Sequence, residues 1–130
     1  MDRFYYCERC GSVVGRLSGK DDRVECCGDG MRPLEPVTDD AAREKHAPVV
    51  SIDGNTVTVS VGRDMHPMTE GHKILWVYLR TDRGGHFRRI ELGEEPAAAF
   101  MLVGEKPEEV FAYCSLHGLW KTEVKSSKKH

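Results

Sequence analysis

Cys7-x-x-Cys10 followed by the adjacent pair Cys26-Cys27 constrains this chain more than any other feature. The four cysteines fall in residues 1–36, a stretch with several glycines and few large apolar residues. A piece shorter than roughly 40 residues seldom builds a core of its own and needs a metal, disulfides or a partner to fold. Four thiolates in two pairs, with 15 residues between the pairs, surround one tetrahedral ion readily. Gly11 and Gly28, directly after each pair, allow the tight turns that aim backbone amides at sulfur. Neighbouring side chains on a strand point to opposite faces, so Cys26 and Cys27 have to bend to share an ion, and a distorted tetrahedron is expected. Zinc and iron both accept four thiolates, and spacing alone leaves both open.

The fifth cysteine makes the count odd, and cytoplasmic thiols are kept reduced, so metal binding is preferred to a disulfide framework. The cytoplasm is the expected compartment: MDRFYYCERC carries Asp2, Arg3 and Glu8 where a signal peptide needs an apolar run, and no apolar stretch approaches the length of a membrane span. At 130 residues, 31% charged and 39% hydrophobic, the chain has the profile of one principal core plus a small lobe. A net charge of -2 gives no general reason to bind nucleic acid.

RPLEPVTDD, with Pro33 and Pro36, reads as the linker out of the lobe. Beyond it the pattern is that of strands. NTVTVSV alternates Val57, Val59 and Val61 with Thr56, Thr58 and Ser60, and Asp53-Gly54 marks a hairpin turn from PVVSI. KILWVYLRT, HFRRIEL, AAAFMLV, EVFAYC and LWKTEV complete six or seven short strands, which implies an antiparallel sandwich. TDDAAREKH is the one stretch expected to be helical, for a turn or two. The resulting division is a four-cysteine lobe at 1–36, a β-sandwich at 37–125 and a disordered basic tail at 126–130.

A second constellation lies in the sandwich region. His46 precedes Ala47-Pro48, His66 and His72 bracket HPMTEGH, and His117 follows Cys114 in CSLHGLW. Pro67 and Gly71 keep His66 and His72 on a loop. Taken singly, each histidine is more often a surface residue than a ligand. Together, four histidines at loop junctions and one cysteine exceed the four ligands that complete a structural zinc site. Five ligands with one position open suit an octahedral-type iron centre and a small oxygen species. A thiolate ligand opposite the open position pushes electron density toward it and makes a ferrous ion a ready one-electron donor. His86, within a strand, and His130, at the chain end, lack this context.

CERC, CCGDGM, EKHAPV, HPMTEGH and CSLHGLW together resemble desulfoferrodoxin, the two-iron class of superoxide reductase, over residues 4 to 124 and in the same order. The resemblance implies a desulforedoxin-like lobe followed by an immunoglobulin-like antiparallel β-sandwich, and two iron ions per chain. Cys7, Cys10, Cys26 and Cys27 would hold the first; His46, His66, His72 and His117 would hold the second equatorially, with Cys114 axial. It further implies that Glu44 ligates the oxidised iron, that Lys45 attracts superoxide and orders water for protonation, that the chain is a homodimer, and that rubredoxin or a similar protein donates electrons. Ser115 departs from the family, which commonly has asparagine there, so hydrogen bonding beside the axial sulfur is expected to differ.

Two other classes compete. A blue-copper electron carrier would use Cys114 and His117 but needs a methionine soon after, and residues 118–130 contain none. A zinc-ribbon module would present Arg3, Arg9, Arg16, Lys20, Arg23 and Arg32 to nucleic acid, but Asp2, Glu8, Asp21, Asp22, Glu25 and Asp29 offset them one for one. Neither accounts for both constellations.

Overall fold

The computed structural model describes residues 3–19, 23–36, 47–61, 73–115 and 118–124. Among them are twelve strands and no helix. The expected helical stretch, 38–46, and the basic tail lie outside the described residues. No helix among the described residues is long and apolar enough to cross a membrane. The chain divides into two compact units, Met1–Glu35 and Pro36–His130.

The first unit is built from pieces too short to show as periodic strands in the sequence. β1 (Arg3–Tyr6) pairs with β2 (Val13–Arg16) on one side and β5 (Arg32–Pro33) on the other, while β3 (Glu25–Cys26) and β4 (Asp29–Gly30) form a separate hairpin. Tyr5, Cys7 and Met31 are buried together, with Val24 and Cys26 packed against them. This is a very small core, and two of its five members are cysteines. Guanidinium groups cover its aromatic rings, with Arg16 5.5 Å from the Tyr5 centroid and Arg32 5.3 Å from that of Tyr6.

The second unit is an antiparallel sandwich of seven strands. One sheet has the order β10-β7-β6 and the other β12-β11-β8-β9, from β6 (Pro48–Asp53), β7 (Thr56–Val61), β8 (Ile74–Thr81), β9 (Gly84–Arg89), β10 (Ala97–Met101), β11 (Pro107–Cys114) and β12 (Gly118–Glu123). The three-plus-four division is that of an immunoglobulin-like sandwich. Alternation decides which side chains meet between the sheets. Val57, Val59 and Val61 of β7 and Ala98 and Phe100 of β10 share one core with Val77 and Leu79 of β8 and Val110, Ala112 and Cys114 of β11. The Thr122 hydroxyl donates to the Pro48 carbonyl at 2.7 Å, tying β12 to β6.

Some strand limits differ from the sequence pattern. β9 begins at Gly84, because the Thr81↔Gly84 pair closes the hairpin over Asp82 and Arg83, and Ile90 leaves the ladder to donate its N–H to the Leu75 carbonyl. The turn before β7 is Gly54-Asn55, one residue later than expected, since Asp53 still pairs with Thr56.

β8 breaks the period of two once. Tyr113 pairs with Trp76 but Cys114 pairs with Ile74, so Leu75 is an extra residue on β8. A bulge of this kind shifts the facing of everything beyond it. It turns Ile74 into the core beside Cys114, while Trp76 stays on the outer face and stacks on Tyr113 at 5.4 Å and 8°. Outer-face pairs continue down the ladder with Tyr78 against Phe111, and Arg80 bonded to Glu109 at 2.9 Å.

At the other end of β8, Thr81 is a buried polar side chain, 3% exposed. Its hydroxyl donates to Glu105 at 2.5 Å and accepts the Arg83 N–H at 3.1 Å, and the second Glu105 oxygen meets His86 Nε2 at 3.1 Å. The Thr81 hydroxyl, and then His86, hold the Glu105 carboxyl below its usual range. A depressed folded-state pKa stabilises the fold above the carboxyl's ordinary value, and that contribution is lost as pH falls through the lowered value. Glu105→Gln should therefore lower the thermal midpoint at pH 7, and the gap to wild type should close as the pH is taken below about 4. Thermal melts across that range check this; a gap that persists at acid pH would contradict it.

Candidate metal centre

Two tight turns bring the four lobe cysteines together. Cys7 directly follows β1, its N–H donates to the Ser12 carbonyl at 2.9 Å, and its own carbonyl accepts the Gly11 N–H at 2.8 Å. Gly11 sits at φ = 79°, so the chain reverses within the Cys7–Cys10 loop. On the other side Cys26 pairs with Asp29, leaving Cys27 and Gly28 as a two-residue turn with φ of 56° and 81°. Positive φ at both central positions is the type I′ hairpin turn, where asparagine-glycine is usual.

Cys27 is the one non-glycine residue with positive φ among the described residues. That conformation costs an L-residue roughly 1–2 kcal/mol. It also answers how adjacent cysteines share an ion: Cys26 is the last ladder residue, and the left-handed turn brings the Cys27 sulfur round to 3.8 Å from that of Cys26. Cys10 and Cys26 sulfurs are 3.6 Å apart, and all four ligand atoms lie within 4.8 Å of one another. Metal–sulfur bonds of about 2.3 Å in a tetrahedron need sulfurs about 3.8 Å apart. The four thiols therefore fit a single ion with little movement, and the cluster can hold a metal.

Burial is uneven across the cluster. Cys7 is 3% exposed, Cys26 is half-buried, and Cys10 and Cys27 face solvent. All five cysteines of the chain are free thiols. The Ser12 hydroxyl, 3.0 Å from the Cys10 sulfur, and the Ser12 backbone bring the Cys10 pKa down to about 6, with smaller help from Cys26 and Cys7. Cys26 is pushed up to about 12 by thiol hydrogen bonds to Cys7, Cys10 and Cys27. Cys10 thus ionises before Cys26, which keeps its proton until a cation displaces it. Ser12 was not singled out from the sequence; a hydroxyl two residues after the Cys7-x-x-Cys10 pair is the signal that could have found it.

The charges around the lobe pair off locally. Arg9 bonds Asp29, and Arg32 bonds Glu8 at 2.9 Å. These four side chains, with Cys7 and Gly30, line a shallow cavity. Two of the arginines offered by the zinc-ribbon reading are thus engaged with acids.

Of the second constellation, Cys114 alone falls among the described residues. His46, His66, His72, His117, Glu44 and Lys45 lie outside them. Cys114 is 0% exposed at the end of β11, facing the sandwich core. Its ladder partners are Ile74 on one side and Gly118 on the other. β11 ends at Cys114, and β12 begins at Gly118, which has φ = 88°. Ser115 bonds Lys73, its N–H donating to the Lys73 carbonyl at 2.9 Å. His86, set aside in the sequence, pairs with Glu105 and lies 6.1 Å from the Phe100 ring.

Cys27→Ser should leave a lobe that no longer shows the absorption of a four-thiolate centre when Co2+ is added to the metal-free protein. An unchanged Co2+ spectrum in that variant would show that Cys27 is not a ligand.

Comparisons with known proteins agree on one family. The family model described as desulfoferrodoxin matches residues 38–123. Desulfoferrodoxin of Syntrophotalea carbinolica is 40% identical over 119 residues, covering 92% of this chain and 94% of the relative. Among solved structures, the superoxide reductase from Treponema pallidum superposes with a TM-score of 0.81 at 30% identity, covering 95% of this chain and 98% of that one. The superoxide reductase (1Fe-SOR) from Giardia intestinalis matches 63% of this chain and 98% of its own, with a TM-score of 0.54 and 34% identity.

Proposed function

The chain belongs to the desulfoferrodoxin family, and from that premise we propose that it is a superoxide reductase with two iron centres. Superoxide, one electron and two protons give hydrogen peroxide, and no oxygen is evolved. Cys7, Cys10, Cys26 and Cys27 hold the first iron in a desulforedoxin-like lobe spanning 1–36. His46, His66, His72, His117 and Cys114 hold the second in the sandwich domain spanning 37–125. One observation carries the reading furthest: a four-thiol cluster and a solitary buried thiol at a loop end of a sandwich occur in one chain. The blue-copper and zinc-ribbon alternatives each leave one of the two without a purpose.

A ferrous ion held by His46, His66, His72, His117 and Cys114 would supply the electron. The Cys114 thiolate would donate electron density to that ion and make it a readier one-electron donor. Lys45 concentrates an anionic substrate at a chain of net charge -2 and holds a water that delivers protons. Glu44 offers a hard carboxylate that would suit the oxidised ion as a ligand. The exposure of Cys10 and Cys27 supports the lobe as the face through which electrons arrive. Rubredoxin or a similar carrier is the donor, the protein acts in the cytoplasm, and two copies form a homodimer.

Cys114→Ser and His117→Ala should each abolish superoxide reduction while leaving the four-cysteine chromophore intact; full activity in either would refute the ligand set. Lys45→Ala should slow the second-order reaction with superoxide on the order of tenfold and flatten its dependence on ionic strength. Pulse-generated superoxide at several salt concentrations measures both, and a rate and salt slope equal to wild type would return Lys45 to the role of a surface charge.

A further inference from the structure

Ser115 follows Cys114, and Lys73 follows His72. Two hydrogen bonds join Ser115 to Lys73. The Ser115 N–H donates to the Lys73 carbonyl at 2.9 Å, and the Lys73 N–H donates to the Ser115 hydroxyl oxygen at 3.1 Å. The first is a main-chain bond that almost any residue would make. The second depends on the side chain at position 115.

The place where this happens gives it weight. The β11–β8 ladder has already been interrupted by the Leu75 bulge, and its last pair is Cys114↔Ile74. Both strands end at that pair, β8 at Ile74 and β11 at Cys114. The Ser115 side chain extends the contact by one step. The N–H it accepts belongs to the peptide unit that joins His72 to Lys73, and a peptide unit is planar and rigid. Consecutive Cα atoms are about 3.8 Å apart, so a restraint on that unit is felt at His72.

Resting on the reading of His72 and Cys114 as ligands of one iron, we propose that Ser115 is a positioning residue for that centre. Its hydroxyl holds the His72–Lys73 peptide against the Cys114 turn and thereby sets the spacing between imidazole and thiolate. Groups that orient metal ligands in this way typically change metal affinity 10–100-fold when removed. The chemistry required is an acceptor on a short side chain. Asparagine offers one through its carbonyl oxygen and alanine does not.

The test compares wild type, Ser115→Ala and Ser115→Asn as full-length, iron-loaded protein. Thr81→Val, seven residues along β8 from Ile74 and about 23 Å away at the usual rise, controls for a general loss of stability. Iron retained against a competing chelator and the energy of the sulfur-to-iron absorption band of the second centre are measured. Ser115→Ala should hold the second iron 10–100-fold more weakly with a displaced band, and Ser115→Asn should restore both. Thr81→Val should melt earlier but keep wild-type iron retention and band energy. Wild-type retention and band in Ser115→Ala, failure of asparagine to restore them, or the same changes in Thr81→Val would each overturn the proposal. Two irons in wild type with an indifferent Ser115→Ala would overturn the positioning role alone. A wild-type chain that takes up one metal would overturn the parent reading and this proposal with it.

Discussion

Alternation along β11 and the Leu75 bulge opposite it on β8 govern the end of the sandwich that matters most. Val110, Ala112 and Cys114 point into the core because strand side chains repeat every two residues, and the same parity sends Phe111 and Tyr113 outward. Had β8 kept its register, Ile74 would have turned away from Cys114. The extra residue at Leu75 restores the inward facing at the last pair, and the Ile90 N–H satisfies the carbonyl that the bulge leaves over. A buried thiol at the end of β11 follows from these local choices.

The lobe solves a different problem. It has little apolar surface to bury, and its core of Tyr5, Cys7 and Met31 is far too small to order a chain of this length alone. Its order comes instead from short strand pairs and from turns that converge the sulfurs. The left-handed conformation of Cys27 is the clearest sign of that priority. A type I′ turn prefers asparagine at this position, and a cysteine placed there accepts strain of roughly 1–2 kcal/mol to present its sulfur beside that of Cys26. A metal bound by all four thiolates stabilises the folded lobe by far more than this.

Much of this was legible in the residues. The valine alternation of β7, the seven short strands and the convergence of Cys7, Cys10, Cys26 and Cys27 follow from period, turn chemistry and ligand spacing. The lobe strands were not legible, since pieces of two to four residues carry no period. Nor was the Leu75 bulge, because KILWVYLRT reads as an uninterrupted strand and the slip appears only in its pairing with β11. Ser12 was hidden for a related reason, and Ser115, noted beside Cys114, gave no sign of its partner. A serine's hydrogen bond depends on what the fold brings opposite it, and Lys73 lies 42 residues from Ser115. The histidine set was proposed from its spacing and Glu44 and Lys45 from the family resemblance, and all lie outside the described residues.

Iron and zinc counted per chain, in protein purified anaerobically from iron-replete cells, test the central claim most directly. Two irons and negligible zinc are predicted, one in the four-thiolate cluster and one in the histidine-cysteine centre. One zinc and no iron would contradict the account, since it would leave Cys114 and the four histidines without their ion and the chain without a source of electrons for superoxide.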